Sequence, residues 1–271
     1  MKGNLRVVSI QIALLFSLLC ICFKTFCANS PQNNQATLTI AVASNFHFPL
    51  STLIKQSDYW ASQPIRLVTA SSGTLHAQIT KGAPFDLFFS ADAKRPQNLE
   101  AQSLALNRQT YAQGKLVLWP TSQVSPQKFY TSNSINVRGK FAIANPQLAP
   151  FGVAAKAYIA TLHNAQSITN KLVLGASVTQ AFQFVDSGNA QFGLLAESTL
   201  IQAKLTLSDS KYSQYGLIPI EAYPPITQQV VIISQSENKA MAQKFIDFVL
   251  STPSQQQLST LGYTPVEEAI N

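Results

Sequence analysis

Short apolar runs alternate with longer amphipathic runs along most of the chain. Leu38 to Val42 is a nearly unbroken apolar run and predicts a buried strand, and Phe46 to Ser57 behind it predicts a helix. The same alternation predicts strands at 65–69, 86–89, 115–119, 141–144, 172–174, 192–195 and 230–233. Between them it predicts helices at 74–81, 152–163, 178–187 and 237–250. The helices rest on spacing. Val178, Ala181, Phe182 and Val185 fall at i, i+3, i+4 and i+7, and Met241, Phe245, Phe248 and Val249 also share one face. Apolar strands alternating with such helices predict α/β layers with largely parallel sheets.

Residues 1–28 break this pattern. Lys2 and Arg6 precede an apolar run from Val7 to Phe23, and Thr25, Cys27 and Ala28 are small residues suited to cleavage. This is the layout of a secretory signal peptide, with an uncleaved anchor as the alternative. Cys20, Cys22 and Cys27 all lie in this segment, so the mature chain has no disulfide framework and no Cys-ligated zinc.

Composition narrows the classes further. Of 271 residues, 46% are hydrophobic and 11% charged, which excludes a disordered chain or a coiled coil. The net charge is +7, and losing Lys2, Arg6 and Lys24 with the signal lowers it to +4. Only Lys94 and Arg95 are adjacent basic residues, so nothing resembles a nucleic-acid-binding stripe.

Two stretches read as crossings between lobes, Ala112 to Val117 and Glu221 to Gln229 around Pro224-Pro225. They predict a first lobe from residues 36–113 and 227–271, a second from 118–220, and a ligand cleft between them.

Several predicted strands end in small or hydroxylated residues just before a helix: Ala43-Ser44-Asn45, Ala70-Ser71-Ser72-Gly73, Ala149-Pro150-Phe151-Gly152 and Gly175-Ala176-Ser177-Val178. In a parallel α/β sheet such junctions share the carboxyl edge, where ligands bind. Each helix start offers unpaired N–H groups and the positive end of a dipole. No Lys or Arg falls within the four junctions, so neutral donors would hold the anion. Each junction taken alone is equally an ordinary helix cap.

These junctions also carry a resemblance. The chain resembles the periplasmic molybdate-binding proteins of ABC transporters, which are type II solute-binding proteins. The matching stretches include Ala41-Val-Ala-Ser-Asn-Phe46, Ala70-Ser-Ser-Gly-Thr-Leu75, Gly82 to Asp92, Ile143 to Gly152 and Gln180 to Val185. The resemblance implies two α/β lobes joined by a two-segment hinge, with one molybdate or tungstate in the cleft. By position it implies hydroxyl ligands at Ser44 and Ser72, a further ligand at Asn45, and backbone N–H donors at Phe151 and Val178. Ala91 matches a position whose N–H contributes in some members. Ala196 stands where some members carry a ligand tyrosine, and Glu197 after it is expected to face solvent. The implied protein is a monomeric periplasmic receptor. It has no catalytic residues, cofactor or cationic metal site, and it hands its anion to a membrane permease.

Other clusters read more plainly. Asp86 and Asp92 are expected to be turn or cap residues rather than an acid/base pair. A zinc site would need His47, His76 and His163 to converge with an acid. Trp60 and Trp119 read as packing or surface aromatics. The rival functions are a receptor for sulfate, phosphate or an organic anion, a cleft enzyme using His47 or His76 with Asp92, and a structural envelope protein.

Overall fold

The computed structural model describes residues 37–120 and 133–266. The segment read as a signal peptide lies outside the described residues. The chain begins with β1 (Leu38–Ala43), α1 (His47–Gln56), α2 (Asp58–Ala61), β2 (Ile65–Ala70), α3 (Ser72–Thr80), β3 (Leu87–Ser90), α4 (Lys94–Ala101) and β4 (Ala105–Gly114). It continues with β5 (Leu116–Pro120), β6 (Phe141–Ala144), α5 (Pro150–Ala160), α6 (Ala165–Thr169), β7 (Leu172–Gly175), α7 (Val178–Asp186), β8 (Phe192–Ala196), α8 (Glu197–Leu207) and β9 (Gly216–Leu217). It ends with β10 (Ile226–Ile233), α9 (Lys239–Leu250), α10 (Thr252–Thr260) and β11 (Tyr263–Thr264).

The strands form two sheets. The six-stranded sheet has the order β11-β4-β10-β3-β1-β2, and the five-stranded sheet has the order β7-β6-β8-β5-β9. Lys115 alone separates the last residue of β4 from the first of β5 in the other sheet. The return runs from β9 to β10 through Pro224 and Pro225.

The sheets are mixed rather than largely parallel. β1 pairs parallel with β2 and β3, but β10 pairs antiparallel with β3 and β4. In the other sheet β6 pairs parallel with β7 and β8, while β5 is antiparallel to β8 and β9. The strands that carry the chain between sheets are the ones that break the βαβ rule. They enter without a crossover helix, which leaves them free to run antiparallel.

β1 is buried along its whole length, which is why it reads as an apolar run without polar alternation. Its two faces still serve different cores. Leu38, Ile40 and Val42 pack with Phe46, Leu50 and Trp60, while Ala41 faces Leu75, Ile79 and Leu99. The five-stranded sheet packs Val117, Phe141, Ile143 and Leu194 against Phe151, Ala155, Val178 and Val185 from α5 and α7. Ala43 and Ala91, at the carboxyl ends of β1 and β3, belong to that same second core. Both tryptophans are buried, Trp119 stacked on Phe182 and Trp60 edge-on to Phe245.

Candidate anion-binding site

The four junctions are built by the strand pairing. Because Ala43 of β1 lies opposite Ala70 of β2, the chain leaves both strands side by side, and the Ser44 N–H donates to the Ala70 carbonyl at 3.0 Å. In the other sheet Ala144 lies opposite Gly175, and the Asn145 N–H donates to the Gly175 carbonyl at 2.7 Å. Each helix then starts directly beyond its strand.

Two glycines let the second pair of helices approach. A Cβ on Gly152 would lie 2.1 Å from the Ala144 carbonyl oxygen, and one on Gly175 would lie 2.6 Å from the Ala181 nitrogen. Only a residue without a side chain allows α5 and α7 to seat their N-termini this close to the strand ends.

Ser44 is half-buried and lines a cavity of about 350 Å3. Thr69 and Ala70 line it from the six-stranded side, and Ala176, Ser177 and Thr179 from the other. None of its lining residues is Asp, Glu, Lys or Arg. Ser72 is fully buried at the first turn of α3, where Ser71 caps the helix by accepting the Thr74 N–H. The Ser72 Oγ accepts the Ala91 N–H at 2.9 Å. That bond uses the Ala91 N–H, and it leaves the Ser72 hydroxyl hydrogen available to a ligand.

Asn45 is buried, and its side chain is already engaged. Its Nδ2 donates to Gln228 Oε1 at 2.9 Å and to the Tyr263 hydroxyl at 3.0 Å. Its backbone N–H remains. Among the described residues, the N–H groups of Asn45, Ser72, Phe151 and Val178 and the Ser44 hydroxyl have no hydrogen-bond partner. Phe151 and Val178 are each 2% exposed and share one buried cluster with Ala43 and Ala91, which flank Ser44 and bond Ser72. Of the predicted set Ser44 alone lines the cavity of about 350 Å3, while Phe151 and Val178 lie in the extended buried cluster that also holds Ala43 and Ala91.

Glu197 departs from expectation. It is buried rather than facing solvent, because Ala196 ends β8 in the sheet interior and α8 starts there without a loop. The Tyr215 hydroxyl donates to its Oε1 at 2.9 Å, and Lys115 Nζ stands 3.6 Å from Oε2. Burial and that carboxylate push the Tyr215 phenol up. Asp86 is a buried structural acceptor for the Thr39 N–H, the Ser236 hydroxyl and Asn238 Nδ2. Asp92 accepts the Arg95 N–H at 3.0 Å and pairs with its guanidinium.

The histidines do not converge. His47 lines the Ser44 cavity, whereas His76 lines a separate cavity of about 460 Å3 with Asp92 and Arg95. Burial lowers the pKa of both, helped by Lys55 at His47 and by Arg95 at His76. Among the described residues no group of three His, Cys, Asp or Glu is placed to hold a metal ion.

Several residues around the site escaped the sequence reading. Gln228, Ser198 and Tyr263 surround Asn45 but come from β10, α8 and β11, far away in the chain. A glutamine at the head of an apolar strand is the one signal that marks any of them.

The family model for bacterial extracellular solute-binding proteins matches residues 38–264. The chain belongs to this family. Within it, the chain is similar to the molybdate-binding protein ModA of Azotobacter vinelandii, at 32% identity over 233 residues, covering 84% of this chain and 90% of that protein. ModA of Rhodobacter capsulatus is 31% identical over 227 residues, covering 82% of this chain and 86% of that one. The solved Azotobacter vinelandii periplasmic molybdate-binding protein superposes with a TM-score of 0.74, covering 85% of this chain and all of that one. These relatives are solute-binding proteins and not enzymes, which counts against the cleft-enzyme reading.

Proposed function

We propose that this protein is the periplasmic receptor of an ABC importer for molybdate and tungstate. In this reading the hydroxyls of Ser44 and Ser72 and the N–H groups of Asn45, Phe151 and Val178 hold the tetrahedral dianion. The two sheets with their helices act as lobes hinged at Lys115 and at Pro224-Pro225, and the closed, monomeric receptor presents the anion to its permease. The observation that carries it is the set of unpartnered N–H groups at junctions set side by side by the Ala43–Ala70 and Ala144–Gly175 pairings. The likeness to the two ModA proteins supports the choice of ligand.

The chemistry suits a fully ionised oxyanion. Every group assigned to it donates, and helix N-termini favour negative charge. Hydrogen bonds to a charged group contribute about 1.5–3 kcal/mol each, so several of them reach micromolar binding after the cost of closure. Selectivity over sulfate would come from the size of the closed cleft.

Thermal unfolding with molybdate, tungstate, sulfate and phosphate tests this. At a thousandfold excess over Kd a ligand adds about 4 kcal/mol, which raises Tm by roughly 8–16 °C at this size. A rise with molybdate and tungstate alone is expected. Equal rises with sulfate or phosphate would overturn the assignment of ligand, and no rise with any of them would overturn the site.

A further inference from the structure

Ser44 shares its cavity with one group able to carry a charge. His47 lines the same space of about 350 Å3, and every other lining residue is Ser, Thr, Ala or Gln. Only Ser44, Asn45 and Phe46 separate the last residue of β1 from His47, the first residue of α1. The ring therefore stays at the carboxyl end of the strand, beside Ser44.

The ring is half-buried and unengaged. Among the described residues it has no hydrogen-bond or ion-pair partner, and the helix uses only the His47 carbonyl, which accepts the Ser51 hydroxyl at 2.8 Å. No carboxylate competes for it. Lys55 of α1 is the charged group that acts on the ring. Of the helices packed on α1, α10 holds no titratable residue, and α2 holds Asp58 and Tyr59 beyond the other end of the ten-residue helix. Across the cavity α7 and α8 present neutral Thr179, Gln180, Gln183 and Gln202. The acids of those two helices are paired elsewhere, Asp186 with Lys211 and Glu197 with Lys115, and Lys204 of α8 lines a different cavity. Arg66, on β2, donates to the Thr39 hydroxyl.

Without an anion the ring is neutral. Burial and Lys55 hold its pKa below 6.5, and the positive end of the α1 dipole also disfavours the imidazolium. A dianion in the cavity reverses the balance. It gives the ring an acceptor, and its charge favours the protonated form.

We propose that His47 is a further anion-binding residue of this receptor, donating a ring N–H to the oxyanion beside the Ser44 hydroxyl. This rests on the receptor reading above and adds to it the one side chain of the site able to become positive. The neutral ring supplies a single N–H. Because the bound dianion stabilises the imidazolium, a proton from the medium enters with it as pH falls. The sign follows from the direction of that change. Affinity is greatest below the pKa of the empty protein's ring and falls as pH rises to the pKa of the loaded one, above which the bond from the neutral ring remains. A monoanion stabilises the imidazolium less, so the ring also favours dianions in acid.

Calorimetric binding of molybdate to the mature chain at about pH 6 and about pH 8 tests this with the wild type, His47→Gln and His47→Ala. The wild type is expected to bind at least about threefold tighter at the lower pH, with about a hundredfold as the limit for one proton over that interval. Its binding heat should also change with the ionisation heat of the buffer. His47→Gln keeps a donor and is expected to lose the pH dependence. His47→Ala is expected to lose it too and to bind about tenfold more weakly than the wild type at about pH 8, with the ligand-free Tm unchanged. In an NMR titration the His47 ring should gain in pKa on loading with molybdate while His163 does not move. If the wild type binds molybdate and His47→Ala binds it equally well at both pH values, His47 is no anion-binding residue and the receptor reading stands. If His47→Gln keeps the pH dependence, another group takes the proton and the assignment falls. A lower ligand-free Tm in His47→Ala with the pH dependence intact would make the ring a packing residue. If the wild type binds no oxyanion, the receptor reading falls and the role of His47 with it.

Discussion

The Ser72 hydroxyl accepts the N–H of Ala91 at 2.9 Å, and both residues are buried. One bond therefore does two things. It satisfies a backbone donor at the end of β3, and it turns the serine hydrogen away from Ala91. Ser72→Ala would remove a proposed anion donor and also orphan the Ala91 N–H. Its expected cost is about 1–3 kcal/mol of stability together with about 10- to 150-fold in molybdate affinity. Urea unfolding and calorimetry read the two losses separately.

Ser44 provides the contrast. Its hydroxyl has no partner among the described residues, and it is half-buried at the cavity wall. Ser44→Ala should weaken molybdate by a similar factor and leave the urea midpoint of the ligand-free protein where it was. A matching loss of stability would show that the hydroxyl serves the fold instead.

Gly73, in the first turn of α3, touches the segment between β6 and α5. Its N–H donates to the Leu148 carbonyl at 2.8 Å, and a Cβ would lie 2.8 Å from that oxygen. Gly73→Ala places a methyl group in that contact while improving helix propensity by up to about 1 kcal/mol. The expected result is unusual in sign: equal or higher ligand-free Tm, with molybdate affinity at least about tenfold lower. Unchanged affinity would mean that this contact is not part of closure.

Gly152→Ala should behave differently. Its Cβ would meet the Ala144 backbone inside the second core, with no flexible side chain to yield. Overpacking of this kind costs about 1–3 kcal/mol or more. Loss of ligand-free stability should accompany the loss of binding, and circular-dichroism melts without ligand will show it.

Acid should weaken the fold through His47 and His76. Both have pKa values below the ordinary 6.5 because burial disfavours the charged form. The unfolded chain then binds more protons, so stability falls as pH drops below 6.5 towards the lower folded values. Replacing both with glutamine should flatten the stability curve over that interval. A curve of the same slope would assign the acid sensitivity to other groups.

The order of strands and helices was legible in the sequence wherever burial was complete. β1, β6 and β8 are apolar along their length because helices or loops cover both faces, and α7 shows its apolar face by spacing alone. Elements stabilised by context were not. β4 carries Asn107, Arg108, Gln109 and Thr110, yet pairs with β10 on one side and β11 on the other. Its strand form comes from those neighbours and not from its own residues. α8 begins on Glu197 and buries that charge beside Lys115 and Tyr215, partners no local pattern reveals.

The same division holds at the site. The four strand-to-helix junctions are legible in the sequence because they are local and their small and hydroxylated residues are visible in the chain, whereas the choice of Ser44, Ser72, Phe151 and Val178 within them is what the family resemblance implies. The free N–H groups of Ser72, Phe151 and Val178 follow from helix geometry, which is also local. The direction of each side chain was decided elsewhere. Asn45 turns inward because Gln228 and Tyr263, 183 and 218 residues away, take its amide. Ser72 is aimed by a backbone N–H 19 residues on. A sequence determines which donors stand at a strand end, because that is a matter of neighbours along the chain. Where those donors point is set by hydrogen bonds between segments that only the folded sheets bring together.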